Sequence, residues 1–286
     1  MNESLKATVL IPTMRDRGPL LPYSVGSVLA QTVPDIELFI MGDGVDDATR
    51  GVIRDLMRRD ARIRFFDHPK HESRGEPNRH AALAEARGEI VCYLCDRDLM
   101  LPNHVDAMRQ LLTGADFAHT LISHVLPDGT LKCPNVIDIA RPRDRRRISS
   151  RRHTANGIPL SFAGHTLHMY RKLPYGWRTT PESYFTDIYM WEQFLADRQC
   201  RAKSGTVPTI LYFPRWKRAD WTVDQKVEEL KRWNGLVTAP GWKERFLQQV
   251  IDGLDKSRLE RRVGAEALYL LRKGARELRR ICGLDK

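Results

Sequence analysis

No run in this sequence approaches the roughly 20 consecutive apolar residues that cross a bilayer as a helix. An integral membrane helix is therefore not expected. Cysteine is scarce and odd in number, five in all, which argues against a disulfide framework and for free thiols in a reducing compartment. Cys92 and Cys95 spell C-x-x-C, but no second pair at zinc spacing follows. Within a strand their side chains would also point to opposite faces, so buried apolar thiols are the expectation. The glycine fingerprints of two large enzyme classes are missing. There is no G-x-G-x-x-G after the first strand and no G-x-x-x-x-G-K-[ST], which disfavours a dinucleotide-binding oxidoreductase and a P-loop hydrolase. No internal repeat is present. The opening MNESLKATVLIPT has no basic stretch before its apolar residues, so no secretory signal is expected there.

What the chain does have is positive charge: 47 Lys and Arg against 36 Asp and Glu, a formal net charge of +11. That balance predicts an acidic neighbour such as nucleic acid, an anionic lipid surface or a phosphorylated small molecule. The arginines cluster in one loop and in the tail, without the interleaved aromatics of a strand-binding surface, so nucleic acid is not expected. With 286 residues and 42% hydrophobic content, the chain can bury one substantial core.

Apolar runs and helical periodicities alternate over the first 113 residues. Strands are predicted at 7–11, 36–41, 62–66 and 89–95. Helices are predicted at 20–31, after Asp46-Asp47, at 78–87 and at 102–112. Such alternation implies a mostly parallel sheet covered on both faces, with ligands at the carboxyl ends of the strands. Beyond it, 117–125 and 130–132 read as strands joined through Pro127-Asp128-Gly129, a hairpin signal. The basic run RPRDRRRISSRRH (141–153) reads as a solvated loop or an anion-binding flap. A helix is predicted at 185–197, a strand at 206–213, and helices only from 222 onward. The organisation expected is a domain over 1–221, with a nucleotide-binding half (1–113) and an acceptor half (114–221), followed by a helical tail (222–286).

In a parallel sheet the residues just past the strands carry the chemistry. Here they are Pro12, Thr13 and Arg15 after strand one, Asp43 after strand two, and Asp96 and Asp98 after strand four. Two longer segments make the sequence recognisable. SVLAQTVPDIELFIMGDGVDDATRGVI and NRHAALAEARGEIVCYLCDRDLMLP resemble, in gapless spacing, two consecutive blocks of the family 2 glycosyltransferases. SFAGHTLHMYRKL and TDIYMWEQFL are similar to later family segments.

The resemblance implies a GT-A fold, a Rossmann-like α/β sheet here followed by a helical extension. It also implies a nucleotide-sugar donor and inverting transfer. Asp43 matches the second Asp of the family's D-D-G-S turn, which contacts the base, and Gly42 replaces the first. Arg79 matches the Arg of A-R-N beside the diphosphate; His80 replaces the Asn. Asp187 takes the place of the catalytic base, with Thr186 where the family has Glu and Trp191 at the matching offset. Glu182 is the alternative carboxylate. His165, in GHTLH, and Trp191 are candidate acceptor contacts.

The family's L-D-x-D-D aligns with Leu94-Cys95-Asp96-Arg97-Asp98, so the usual D-x-D carboxylates fall on Cys95 and Arg97. Three readings stay open. Asp98, with Asp96, holds Mn²⁺ or Mg²⁺, which is the working expectation. Alternatively Arg97 itself neutralises the diphosphate, or the chain is a non-catalytic relative. Expected partners are a nucleotide sugar (UDP first, GDP or dTDP as alternatives) and a glycan, lipid-linked or small-molecule acceptor. The basic helical pattern at 259–282 suits either peripheral contact of a cytoplasmic protein with an anionic membrane or packing on its own domain or a second subunit, and both readings stay open. A purely binding role for the basic surface is the rival from another class.

Overall fold

The computed structural model describes residues 5–250 apart from 135, 136, 151–153, 243, 244 and 247. The 259–282 segment, and with it the expected membrane contact, lies outside the described residues. β1 (Ala7–Thr13), α1 (Leu21–Leu29), β2 (Ile36–Asp43), α2 (Asp47–Arg59), β3 (Ile63–His68), α3 (Glu76–Ala84) and β4 (Ile90–Tyr93) follow in strict alternation. Next come β5 (Leu99–Met100), α4 (His104–Leu112), β6 (Phe117–His119), β7 (His124–Val125), β8 (Leu131–Lys132) and α5 (Pro142–Ser150). β9 (Ala163–Thr166), α6 (Leu167–Tyr170), α7 (Thr186–Ala196), β10 (Ala202–Ser204), β11 (Ile210–Leu211) and α8 (Val223–Thr238) complete the named elements.

Seven strands form the central sheet in the order β10-β6-β9-β4-β1-β2-β3. All its pairings are parallel except those of β9, which runs antiparallel between β4 and β6. The period-two alternation of side chains sorts β1 onto both faces. Val9 and Ile11 join Val25 and Val28 of α1, Ile53 of α2 and Met108 of α4 in one core layer. Leu10 joins Phe39, Tyr93, Leu83 of α3, and Trp191 and Phe194 of α7 in the other. Strands buried on both sides have no polar face to show, which is why they read as unbroken apolar runs.

Register then places the site. Leu10 pairs with Tyr93 and the Leu94 amide donates to the Leu10 carbonyl at 3.0 Å. Three residues further on, Thr13 and Asp96 come level. Thr13 also pairs with Gly42, bringing the tip of β2 alongside.

Two expectations are corrected. The basic run is not a loop: its first part forms α5, held down by the buried Ile148. The apolar stretch 206–213 forms a ladder only at β11, which pairs with β5 in a separate two-stranded sheet. The described chain beyond 221 packs on the domain it follows. Leu230, Trp233 and Val237 of α8, with Phe246 and Val250, share a third apolar cluster with Leu99, Leu211 and Phe213. The β7–β8 hairpin falls where Pro127-Asp128-Gly129 placed it.

Candidate active site

The chain leaves β4 through a tight turn, Cys95-Asp96-Arg97-Asp98, closed by the Asp98 amide donating to the Cys95 carbonyl at 3.0 Å. Its three charged side chains part company. Asp96 Oδ2 accepts from Thr13 Oγ1 at 3.1 Å and lies 3.8 Å from Arg17 Nε. Asp98 is wholly buried; its Oδ2 accepts from Ser161 Oγ at 2.6 Å and its Oδ1 from the Phe213 amide at 3.1 Å. Burial pushes its pKa up to about 6, against the pull of Arg97, Ser161 and the Phe213 amide. Arg97 Nε donates to the Phe213 carbonyl at 3.3 Å.

Ser161 joins this turn to the other half of the site. Its hydroxyl accepts from the Cys95 amide at 3.0 Å while donating to Asp98. Next to it, the Leu160 amide donates to Asp187 Oδ2 at 3.0 Å, and Asn156 Nδ2 donates to the same oxygen at 2.5 Å. Asp187 lies in the first turn of α7 but does not cap it. It is enclosed by protein yet keeps some solvent-accessible surface. Desolvation raises its pKa, while Asn156, Arg79, the Leu160 amide and Arg74 oppose the rise. Among the described residues, Asp187 Oδ1 accepts no hydrogen bond.

Arg79 is buried on α3, its guanidinium over the Trp177 ring with the centroid 4.9 Å away. Nη2 donates to the Arg74 carbonyl at 2.8 Å, and the buried Nε has no partner. Asp187 and Glu76 are the carboxylates whose charge acts on it most. Arg74 in turn donates to Thr186 Oγ1 at 3.0 Å, bracing the start of α7. Asp43 sits at the end of β2, where Lys70 Nζ reaches Oδ2 at 2.5 Å and the His71 amide reaches Oδ1 at 2.6 Å. This clasp fixes the loop before α3, and Gly75, with φ of 69°, turns the chain into the helix. A Cβ there would need the left-handed backbone that side chains disfavour.

The sequence-predicted residues thus separate into two groups. Thr13, Asp96, Asp98, Arg79 and Asp187 converge at the carboxyl end of the sheet; Asp43 borders them and Pro12 is half-buried on β1, while Arg15 is exposed. The acceptor contacts are corrected. His165 is wholly buried, its Nε2 and Tyr93 Oη 2.7 Å apart, and burial lowers its pKa to about 3. Trp191 is also wholly buried and donates from Nε1 to the Ile158 carbonyl at 3.0 Å. Neither has surface to offer an acceptor. Arg17, Arg74, Asn156 and Ser161 were missed. Arg17 lies two residues past Arg15, and Ser161 heads the family-like segment SFAGH.

As a cation site this donor set fits poorly. A hard divalent ion needs carboxylate oxygens with free lone pairs. Both oxygens of Asp98 are engaged in the core, and Asp96 faces Thr13 and Arg17. Among the described residues, no three His, Cys, Asp or Glu side chains come together in a group able to hold a metal ion.

The sequence model of Glycosyl transferase family 2 matches residues 8–172. The chain belongs to that family. A curated relative from Campylobacter jejuni, GalNAc(5)-diNAcBac-PP-undecaprenol beta-1,3-glucosyltransferase, is 30% identical over 105 residues, 37% of this chain and 34% of the relative. The chain therefore spans about a third of that protein's length. Among solved structures, the mannosyltransferase PcManGT from Pyrobaculum calidifontis, in complex with GDP-Man and Mn²⁺, superposes with a TM-score of 0.51 at 18% identity. That match covers 81% of this chain and 65% of the other. TarS 1–349 of S. aureus, in complex with UDP-GlcNAc, gives 0.55 at 13% identity over 87% and 71% of the two chains. At such identities the likeness is one of fold, and the fold is GT-A.

Proposed function

We propose that this family 2 member transfers a sugar from a nucleotide diphosphate to a hydroxyl acceptor with inversion at the anomeric carbon. The observation that carries the reading is Asp187. It is a carboxylate fixed through one oxygen by Asn156 and the Leu160 amide, half-buried in the first turn of α7. Inversion needs a single base to take the acceptor's proton as its oxygen attacks. A desolvated carboxylate with a raised proton affinity suits that task near neutral pH. Asn156 and Leu160 set its direction, and Arg79 and Arg74 keep it from holding its proton too firmly.

Thr13 and Asp96 line the floor where the nucleotide would lie, and Asp43 shapes the loop at the base-binding end. UDP is the first donor to try, with GDP and dTDP next. The UDP-GlcNAc and GDP-Man complexes of the two structural neighbours support that choice. The undecaprenol-linked substrate in the Campylobacter relative's name supports a lipid-linked glycan as acceptor, and so a place at the cytoplasmic membrane face. Among the described residues, no helix is long and apolar enough to cross a membrane. No step is routed through Mn²⁺ or Mg²⁺, because the carboxylates expected to hold it are otherwise engaged.

The test is release of nucleoside diphosphate from UDP-, GDP- and dTDP-sugars in the presence of pooled glycan and lipid-linked acceptors. Proton NMR of the product then gives the anomeric configuration. Retention of configuration would sink the single-base mechanism. Absence of turnover with every donor, by a folded protein, would count for the non-catalytic reading.

A further inference from the structure

A cavity of about 120 Å³ opens beside the Cys95–Asp98 turn, between the loop after β1, the segment after β11 and helix α8. Arg17, Arg97, Arg215, Arg218 and Lys226 line it, against a single carboxylate, Glu229. Glu229 is already committed, since both its oxygens accept from Arg218. Four cations remain without a lining counter-ion.

Three of them are also anchored rather than waving in water, while Arg215 is exposed at the rim. Arg97 is tied to the Phe213 carbonyl, Arg17 lies against Asp96, and Lys226 Nζ donates to the Trp221 carbonyl at 2.6 Å. Arg218 is 2% exposed, and its buried Nη1 has no hydrogen-bond partner. Burial, together with Arg17, Arg215 and Arg97 nearby, lowers the proton affinity of Lys226. Like charges held together this way repel, and a guanidinium donor left unpaired in the interior is costly. A multivalent anion relieves both, and the planar guanidinium fork matches phosphate oxygens.

The cavity's place in the fold identifies the anion. Asp96 touches both Thr13, on the floor proposed for the nucleotide, and Arg17, on the cavity wall. We propose that this cavity takes the diphosphate of the nucleotide sugar, and that Arg17, Arg97, Arg215 and Lys226 supply the positive charge a divalent cation would otherwise bring. This inference rests on the donor reading given above. As the acceptor oxygen bonds to the anomeric carbon, its proton passes to Asp187. The bond from that carbon to the β-phosphate oxygen breaks, and the electron pair leaves on that oxygen. The nucleoside diphosphate so released carries one more negative charge than it had in the donor, and the four cations stabilise it as it forms.

The experiment uses the full chain in a thermal-shift and calorimetric panel. Pyrophosphate, uridine, UDP, GDP and dTDP are each measured in EDTA and again with Mn²⁺. The expected result is that pyrophosphate and one nucleotide bind in EDTA, uridine alone does not, and Mn²⁺ changes the affinity by less than about threefold. Arg97 also faces Asp98, so the informative variants are Lys226→Gln and Arg17→Gln, at partly exposed positions. Each should weaken pyrophosphate about tenfold, the loss of one charge-assisted contact, without moving the melting temperature of the free protein.

Nucleotide binding that appears only with Mn²⁺ would overturn the cationic site and leave the donor reading standing. Pyrophosphate affinity that neither variant changes would overturn it as well. Pyrophosphate bound in EDTA with no nucleotide binding would keep the anion cavity but overturn its role with a donor.

Discussion

Replacing Asp187 with Asn removes a base while leaving its shape. The wild-type carboxylate uses Oδ2 for both of its hydrogen bonds, from Asn156 at 2.5 Å and the Leu160 amide at 3.0 Å. The amide oxygen of Asn can accept the same two bonds. The charge-assisted part of those bonds is lost, about 1 kcal/mol. The cost of holding a carboxylate out of water disappears with it, so the two changes largely offset. The melting temperature should therefore move by only a few degrees. Catalysis should not escape so lightly. A positioned general base contributes roughly 100- to 10,000-fold, about 3–5 kcal/mol of barrier. We expect kcat for nucleoside diphosphate release to fall by that factor, with nucleotide affinity within about threefold of wild type. The pH profile supplies a second readout. A base works only when ionised, and desolvation raises the pKa of Asp187 above its ordinary value. Wild-type kcat/KM should thus fall on the acid side at a pH above that of a free aspartate, and Asp187→Asn should lose that limb. The exposed Glu182, changed to Gln, serves as control and should retain its rate. An Asp187→Asn enzyme keeping more than about a tenth of wild-type kcat would refute the assignment.

Three more substitutions probe the surroundings. Asp98→Asn should preserve nucleotide binding in a calorimeter, because its amide oxygen can accept from the Phe213 amide while its nitrogen donates to a Ser161 hydroxyl turned from donor to acceptor; abolished binding would restore Asp98 as a metal ligand. The same variant should flatten the pH dependence of stability. Folded Asp98 keeps its proton up to about pH 6, the unfolded chain only to about pH 4, so the wild type gains stability as pH falls through 6. That gain levels off below about pH 4 and is on the order of 3 kcal/mol, read from chemical denaturation at several pH values. Ser161→Ala leaves Asp98 Oδ2 and the Cys95 amide without their shared partner, and should cost about 1–3 kcal/mol in denaturant unfolding together with a loss of kcat. Trp191→Phe strips a buried donor from the Ile158 carbonyl and opens a gap among Tyr93, Phe117 and Trp177. It should cost about 1–3 kcal/mol of stability yet leave the acceptor KM unchanged, as a core residue and not an acceptor contact must.

The first four strands and helices were legible because their signals are local. A strand buried on both faces is an apolar run, and the helices between carry their own periodicity. β9 was not legible. AGHT has little strand character of its own, and it becomes one by lying between β4 and β6, pairings of long sequence separation. α5 was hidden for the opposite reason: arginine forms helices well, but with Ile148 its only buried residue there was no apolar stripe to read. The site followed the same divide. Asp187 and Arg79 came through their resemblance to family motifs. Arg17, Ser161 and Lys226 take their roles from residues far along the chain, and nothing beside them in sequence announces this.

The turn after β4 shows how a shift of one residue can change the chemistry of a site. Adjacent side chains leave the backbone in different directions. Of the three charged residues in Asp96-Arg97-Asp98, Arg97 lines the cavity and neither carboxylate does. Asp98 turns into the core and Asp96 toward Thr13. In the family's register a carboxylate would stand where Arg97 stands, and a negative wall needs a divalent cation before it can meet a diphosphate. With arginine there, and with Arg17, Arg215 and Lys226 around it, the wall is positive already. A divalent cation placed beside it would be repelled by the same charges that attract the phosphates. Nucleotide binding measured in EDTA and again with Mn²⁺ separates a site that needs the cation from one that its own side chains neutralise.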